Sequence, residues 1–148
     1  VKFKAFDVMD YEHVDYFKKG GLHGNLYISS GTRGIVAYTD SGFIMGMVLF
    51  DNWTHTAVFG HIVVSNPMCL KHGGLITEAM DFVFNTLGLQ YLMGSVPASK
   101  EKAISFEKRI GFKEVYRLKD GFQKGTDLIF MQMTRDQAVF LPKEQRAA

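Results

Sequence analysis

Apolar positions recur along the chain with two different periods, near 2 in some stretches and near 3.6 in others, and these periods mark out the elements. In residues 2–8, Phe3, Ala5 and Val8 stand against Lys2, Lys4 and Asp7, which predicts a first strand. Asp10 is placed to cap a helix running to about Lys19, with Val14 and Phe17 on its buried face and Gly20-Gly21 stopping it. Residues 22–30 read equally as a short helix or an irregular loop. Strands are predicted over residues 34–39, 43–50 and 56–64, with turns at Asp40-Ser41-Gly42 and from Asp51-Asn52. Together these three predict an antiparallel meander.

The period then lengthens. Gly73-Gly74 opens a helical pattern that sets Leu75, Ile76, Ala79, Met80, Val83 and Leu87 on one side and ends at Gly88. Residues 89–96 form a short apolar strand. Ser99 is placed to cap a helix whose Ala103, Phe106 and Ile110 face inward and which Gly111 ends. A strand is predicted over residues 112–118, a turn at Asp120-Gly121, and a last strand over residues 127–133. The tail from about Asp136 is polar and reads as peripheral. No internal repeat or linker composition appears, so one domain is expected over residues 1–135, followed by a tail at 136–148. The order β-α-(α)-β-β-β-α-β-α-β-β predicts an α+β fold, a mixed, mostly antiparallel sheet with helices on both faces.

Composition narrows the function classes. Of 148 residues, 47% are hydrophobic and 22% charged, a balance that supports a packed core rather than disorder. Thirteen Phe suggest a well-filled core or an aromatic-lined cleft. The net charge of +2 and the absence of a basic stripe argue against nucleic acid as a partner. The basic run Lys100, Lys102, Lys108 and Arg109 reads as a solvated helix face, with docking to an acidic partner as the weaker alternative. Cys69 is the only cysteine, so no intrachain disulfide forms and a reducing, cytoplasmic compartment is expected. No apolar run approaches the roughly 18 residues of a membrane span, and no membrane partner is expected. The histidines His13, His23, His55 and His72 show no metal-ligand spacing, and no metal is expected.

Two stretches carry chemistry. In residues 61–80, HIVVSNPMCLKHGGLITEAM, a strand ends, Pro67 breaks it, and a glycine pair starts an amphipathic helix. Free N–H groups and the positive dipole end at such a helix start suit an anion, and glycine lets backbone approach a pyrophosphate. Lys71 can add charge. The same glycine pair is equally compatible with a plain turn. The loop is neither a Walker loop nor a G-x-G-x-x-G dinucleotide loop.

The second stretch is residues 97–112, PASKEKAISFEKRIGF. Its ending, Glu107 to Phe112, resembles the Y-E-K-L-G-F segment of the GCN5-related N-acetyltransferase (GNAT) family, and Ala103 stands where that family has Ala or Ser in N-x-x-A. Residues 125–133 are similar to the closing strand of RimJ/RimL-like members. Read back from there, residues 71–76 resemble the family's acyl-CoA loop, Q/R-x-x-G-x-G/A, with Lys71, Gly74 and Ile76 in the three marked places. Ile76, Lys100 (often Asn) and Glu107 (often Tyr) depart from the pattern.

The resemblance implies the GNAT fold, acetyl-CoA as co-substrate, and direct attack of a primary amine on the thioester. The acceptor amine belongs to a protein N-terminus, a lysine or a small molecule, and RimJ/RimL-like similarity leans toward the N-terminus. It implies that Ile62, Val63, Val64 and Ser65 on the strand, Lys71, His72, Gly73, Gly74, Leu75 and Ile76 on the loop, and Lys100 hold the cofactor. A backbone N–H near residues 63–65 would polarise the thioester carbonyl. His61, Glu107 and Tyr116 are the candidate catalytic groups, each with a bland alternative: a core-edge His, a solvated helix carboxylate, and a Tyr packed on the sheet. Cys69 reads as a small loop thiol rather than a nucleophile. Trp53 with Phe50 and Phe59 reads as hairpin packing or as the border of an acceptor cleft. A homodimer is expected from the resemblance. The competing reading is a catalytically silent GNAT module that is structural or senses acyl-CoA.

Overall fold

The computed structural model describes residues 1–20 and 28–147. The elements are β1 (Lys2–Ala5), α1 (Tyr11–Gly20), β2 (Arg33–Tyr38), β3 (Ile44–Asp51), β4 (Ala57–Val64), α2 (Gly74–Asp81), β5 (Tyr91–Pro97), α3 (Glu101–Ile110), β6 (Lys113–Gln123), β7 (Thr126–Thr134) and α4 (Lys143–Arg146). The strands lie in the order β1-β2-β3-β4-β5-β7-β6. All the pairings with a recorded register are antiparallel except that of β4 with β5, so the sheet is mixed and mostly antiparallel, as the element order predicts. Chain contacts group the residues into two units, Val1–Trp53 with Gly60–Ala79, and Thr54–Phe59 with Met80–Ala148.

In the first unit, β1, β2 and β3 pair antiparallel, with a bulge between Ala37 and Tyr38. Alternation puts Val36 and Tyr38, Met47 and Leu49 on one face, where they meet Phe6, Val63 and Phe17 of α1. Asp10 caps α1 as predicted: its Oδ1 accepts from the N–H of Glu12 at 2.9 Å and of His13 at 3.4 Å. The buried face of α1 includes His13 beside Phe17, which the apolar pattern does not mark. Its Nδ1 accepts the Asp7 N–H at 3.0 Å, so the neutral ring carries its proton on Nε2, 2.5 Å from the Tyr38 hydroxyl. Gly20, the last residue of α1, is a glycine for a packing reason: a Cβ there would stand 2.3 Å from Val63 Cγ1. The ambiguous stretch at 22–30 falls largely on residues 21–27, outside the described residues; Ile28 packs on the α1 core.

In the second unit, β4 pairs in parallel with β5 over Ala57↔Tyr91 to Phe59↔Met93, and the register ends at that pair. β7 lies between β5 and β6, antiparallel to both. Three local expectations are corrected here. The helix that begins with α2 continues through a π turn at Phe82–Thr86, closed by Leu87 N–H to Phe82 O at 2.9 Å. The extra residue in that turn shifts the helical phase, so Phe84 is fully buried while Leu87, expected inside, is 39% exposed. Ser99 is not the cap of α3; Lys100 holds that position, with no side-chain cap bond. Asp120-Gly121 is not the hairpin turn. It is an irregularity within β6, with Asp120 at φ 52°, and the chain reverses at Lys124-Gly125 between the paired Gln123 and Thr126. Asp120 Oδ1 accepts the Gly125 N–H at 2.9 Å, and Asp127 Oδ1 accepts the Asp120 N–H at 3.0 Å, so the aspartate that resembles a turn former braces the true turn.

The tail is also not peripheral. After a 3-10 turn at Arg135–Gln137 it buries Ala138 and Leu141, and α4 follows. Arg135 donates to Phe84 O, to Asn85 Oδ1 and to Gln145 O, tying the tail to the end of the π turn. Leu141 is 2% exposed, so Leu141→Ala is expected to cost about 2–4 kcal/mol in denaturant unfolding, whereas a peripheral tail would give a change within about 0.5 kcal/mol.

Candidate functional site

The strand-to-helix passage from β4 to α2 is built by its own backbone requirements. Asn66 Oδ1 accepts the Met68 N–H at 3.0 Å and Pro67 starts a 3-10 turn. The chain then kinks: Lys71 is extended at φ −60°, ψ 133°, and His72, Gly73 and Gly74 follow with φ 56°, 86° and 37°. The Gly74 N–H bonds back to Cys69 O. A Cβ at Gly74 would fall 2.0 Å from that carbonyl oxygen, so glycine is required by the turn itself. Cys69 is buried against Gly46 of β3, where a Cβ would lie 3.1 Å from its sulfur. Burial pushes the Cys69 thiol up, which fits packing rather than nucleophilic chemistry.

Beside this passage a cavity of about 830 Å³ opens within the first unit. Its floor is Ile62, Val63, Val64 and Ser65 of β4, and its walls come from α1 and from the turn entering β3 at Gly42, Phe43 and Ile44. The exposed side of α1 contributes Tyr11, Glu12, Asp15, Tyr16 and Lys19. Lys19 Nζ pairs with Asp15 Oδ2 at 2.9 Å, and this pairing holds the Lys19 ammonium above its usual range. Glu12 has no cationic partner among the described residues, so the groove is locally acidic on a chain of net charge +2. Tyr16 crosses to β4: its hydroxyl lies 2.7 Å from Ser65 Oγ and accepts the Ser65 N–H at 3.1 Å, which Met45 O also accepts at 2.9 Å.

The predicted site residues distribute as follows. Ile62, Val63, Val64 and Ser65 line the groove, but the Ser65 N–H is engaged by Met45 and Tyr16. Lys71 and His72 are exposed on the kink, Gly73 is buried, and Leu75 and Ile76 point into the core, so the Ile76 branch does not stand over the loop. His61 does not line the groove. Its Nε2 lies 2.7 Å from Asp51 Oδ1, a carboxylate contact that fixes the tautomer and leaves Nδ1 as the basic nitrogen. Trp53 donates its indole N–H to Gly31 O at 3.0 Å; the groove aromatics are Tyr11, Tyr16 and Phe43 instead.

The other three lie in the second unit. Lys100 is exposed at the start of α3. Tyr116 is 60% exposed on β6, tilted against Phe130 of β7 at 6.3 Å. Glu107 points from α3 toward β5. Its Oε1 would be 3.7 Å from a Cβ on Gly94, a position also close to the ring of Phe112, and its Oε2 is buried without a partner among the described residues. Burial in this apolar surround raises its carboxyl to about 7. Glu107 is therefore not a solvated carboxylate but a group poised between its two protonation states at neutral pH.

The sequence reading missed the α1 wall. Glu12, Asp15, Tyr16 and Lys19 recur at i, i+3, i+4 and i+7, a stripe that pattern reading assigns to solvent because it is polar. The available signal was the pair of tyrosines among its carboxylates. Among the described residues no group of three or more His, Cys, Asp or Glu could hold a metal ion, and no helix is long and apolar enough to cross a membrane.

This architecture, a mixed seven-stranded sheet with a kinked glycine turn leading from β4 into α2, is the acyl-CoA N-acyltransferase (GNAT) fold. Solved structures of spermidine N-acetyltransferase from Vibrio cholerae carry it. The dodecameric structure in an intermediate state is 17% identical, covering 96% of each chain with a TM-score of 0.75. A chimera of that protein with hSSAT is 19% identical over 96% of this chain and 100% of its own, with a TM-score of 0.74. A complex of the spermidine/spermine enzyme with manganese ions is 18% identical over 90% and 91%, with a TM-score of 0.71. No protein-family model and no curated protein matches the sequence.

The Glu107 environment gives a signed pH dependence. Because its folded value lies above the ordinary 4.5, the native state holds this proton more tightly than the unfolded chain does. Its contribution to stability is full below pH 4.5 and is lost as pH rises through about 7. Glu107→Gln removes a destabilisation of at most about 3 kcal/mol. Urea unfolding of both proteins is expected to show the variant more stable at pH 8.5, with the gap closing at pH 5.

Proposed function

We propose that this chain is an N-acetyltransferase that moves the acyl group of acetyl-CoA to a primary amine by direct attack. The observation that carries the reading is the acidic, aromatic-walled groove over the last residues of β4, on a fold shared with spermidine N-acetyltransferases. Lys71 and His72, exposed on the kink, fit the phosphate end of the co-substrate, whose anionic oxygens need cationic or N–H partners. The groove fits the amine. Glu12 and Asp15 attract an ammonium, and Tyr11, Tyr16 and Phe43 offer ring faces to it. A cationic acceptor can take over Asp15 from Lys19. These carboxylates favour a small acceptor with more than one positive charge, of the polyamine kind, over the protein N-terminus suggested by RimJ/RimL-like similarity.

Attack requires the amine to lose a proton as its nitrogen bonds the carbonyl carbon and the C–S bond breaks to release the CoA thiolate. His61, held by Asp51 with Nδ1 free to accept, is the proposed proton acceptor through water. Glu107, at about 7, is the second candidate for moving a proton. A catalytically silent module, structural or acyl-CoA-sensing, is the competing reading, and one observation favours its structural form: the Ser65 and Gly74 N–H groups that would serve a ligand are satisfied inside the chain.

Thiol release from acetyl-CoA, followed with spermidine, a lysine peptide and a free-N-terminus peptide, decides between them. Turnover is expected, fastest with spermidine. Glu12→Gln and Asp15→Asn should each raise KM for the amine about 3- to 10-fold with little change in kcat, as for loss of one partly exposed ion pair. Acetyl-CoA binding with no thiol release from any amine overturns the enzyme reading in favour of the sensor.

A further inference from the structure

A second cavity, of about 580 Å³, lies in the second unit at the far end of the chain and has no part in the proposed reaction. It is lined by Gly88 to Gln90, by Thr134, Arg135 and Asp136 at the end of β7, and by Arg146 and Ala147. Two guanidinium groups thus border one small space. Arg135 is fixed in place by its bonds to Phe84 O, Asn85 Oδ1 and Gln145 O, all uncharged acceptors. Arg146 is different: its Nε is buried and has no hydrogen-bond partner among the described residues. Among the described residues neither arginine is ion-paired with a carboxylate. The single acid on the wall among the described residues, Asp136, is engaged by the Thr134 hydroxyl. A guanidinium has five donors in a planar fork suited to two oxygens of one anion, and leaving a buried charged donor unsatisfied is costly.

We propose that this cavity is a binding site for a small oxyanion, a phosphate or carboxylate group, seated on Arg146 with Arg135 supplying field and shape. A bound anion that reached the Nε edge of the Arg146 guanidinium would satisfy the orphaned donor. Because Arg135 also ties the tail to residues 84 and 85, the occupant would brace α4 against the π turn. Gln145 strengthens that coupling, since its side chain accepts from Asn85 Nδ2 at 2.9 Å.

The test is a titration of the whole chain with inorganic phosphate and, separately, with acetate, at constant ionic strength set by sodium chloride. The readout is the Arg146 Nε–H cross-peak in nitrogen-15 spectra. A saturable downfield shift with an oxyanion, absent in chloride alone, is expected, and the tighter of the two probes identifies the group. Arg146→Gln should abolish the saturable response of neighbouring amides at Gly88 and Thr134, and Arg146→Lys, which keeps the charge and stem but loses the fork, should weaken it about tenfold. A cross-peak that does not move, or that moves linearly and equally with chloride, overturns the proposal. So does unchanged binding at Gly88 and Thr134 in Arg146→Gln.

Discussion

The approach of Cys69 to Gly46 is the contact on which the reading of the β4-to-α2 passage depends. A Cβ at residue 46 would lie 3.1 Å from the Cys69 sulfur and 3.1 Å from Val63 O, a tight approach that favours glycine there. The Cys69 carbonyl receives the Gly74 N–H, and only a glycine at 74 leaves room for it. The three consecutive left-handed residues, His72 to Gly74, then carry the chain into α2 with Lys71 and His72 held outside. An exposed basic kink thus follows directly on a buried thiol in the chain. The glycine pair exists first for the fold, and any ligand uses a loop whose shape is already determined.

The groove follows from a similar close approach. Gly20 lets the end of α1 lie against Val63, and the Asp10 cap and buried His13 hold the start of the helix. A helix anchored at both ends presents its polar stripe to β4 in one orientation, so the carboxylates of Glu12 and Asp15 and the ring of Tyr16 stand over the strand. The chain is weakly basic overall, yet Glu12 and Asp15 make this wall locally acidic, which the composition conceals.

Element order and most boundaries were readable because they rest on periodicity, caps and glycine stops, which act over a few residues. Asp10, Gly88 and Gly111 behave as the local rules require. The failures share a cause, since each needed knowledge of a distant partner. Leu87 is outside because a π turn absorbs one residue upstream. Asp120-Gly121 looks like a turn, but the aspartate bonds to Gly125 and Asp127. The tail looks polar, yet Ala138 and Leu141 are buried and Arg135 finds acceptors some fifty residues away in sequence. The site was half visible: residues 62–65 stood out through the resemblance, whereas the α1 wall was hidden by its polarity. Glu107 was singled out for its place in a motif, and its buried, unpartnered oxygen could not be read from sequence.

Whether the kink at residues 71–74 receives an acyl-CoA is measured directly by thermal unfolding of the chain titrated with acetyl-CoA and with free CoA, alongside the Lys71→Glu variant. Ligand that binds only the native state stabilises it by about 2.7 kcal/mol at a hundredfold excess over Kd. A saturable rise in unfolding temperature that is weakened in Lys71→Glu is the result this account predicts. No rise at millimolar CoA, or a rise that the variant leaves untouched, would contradict it.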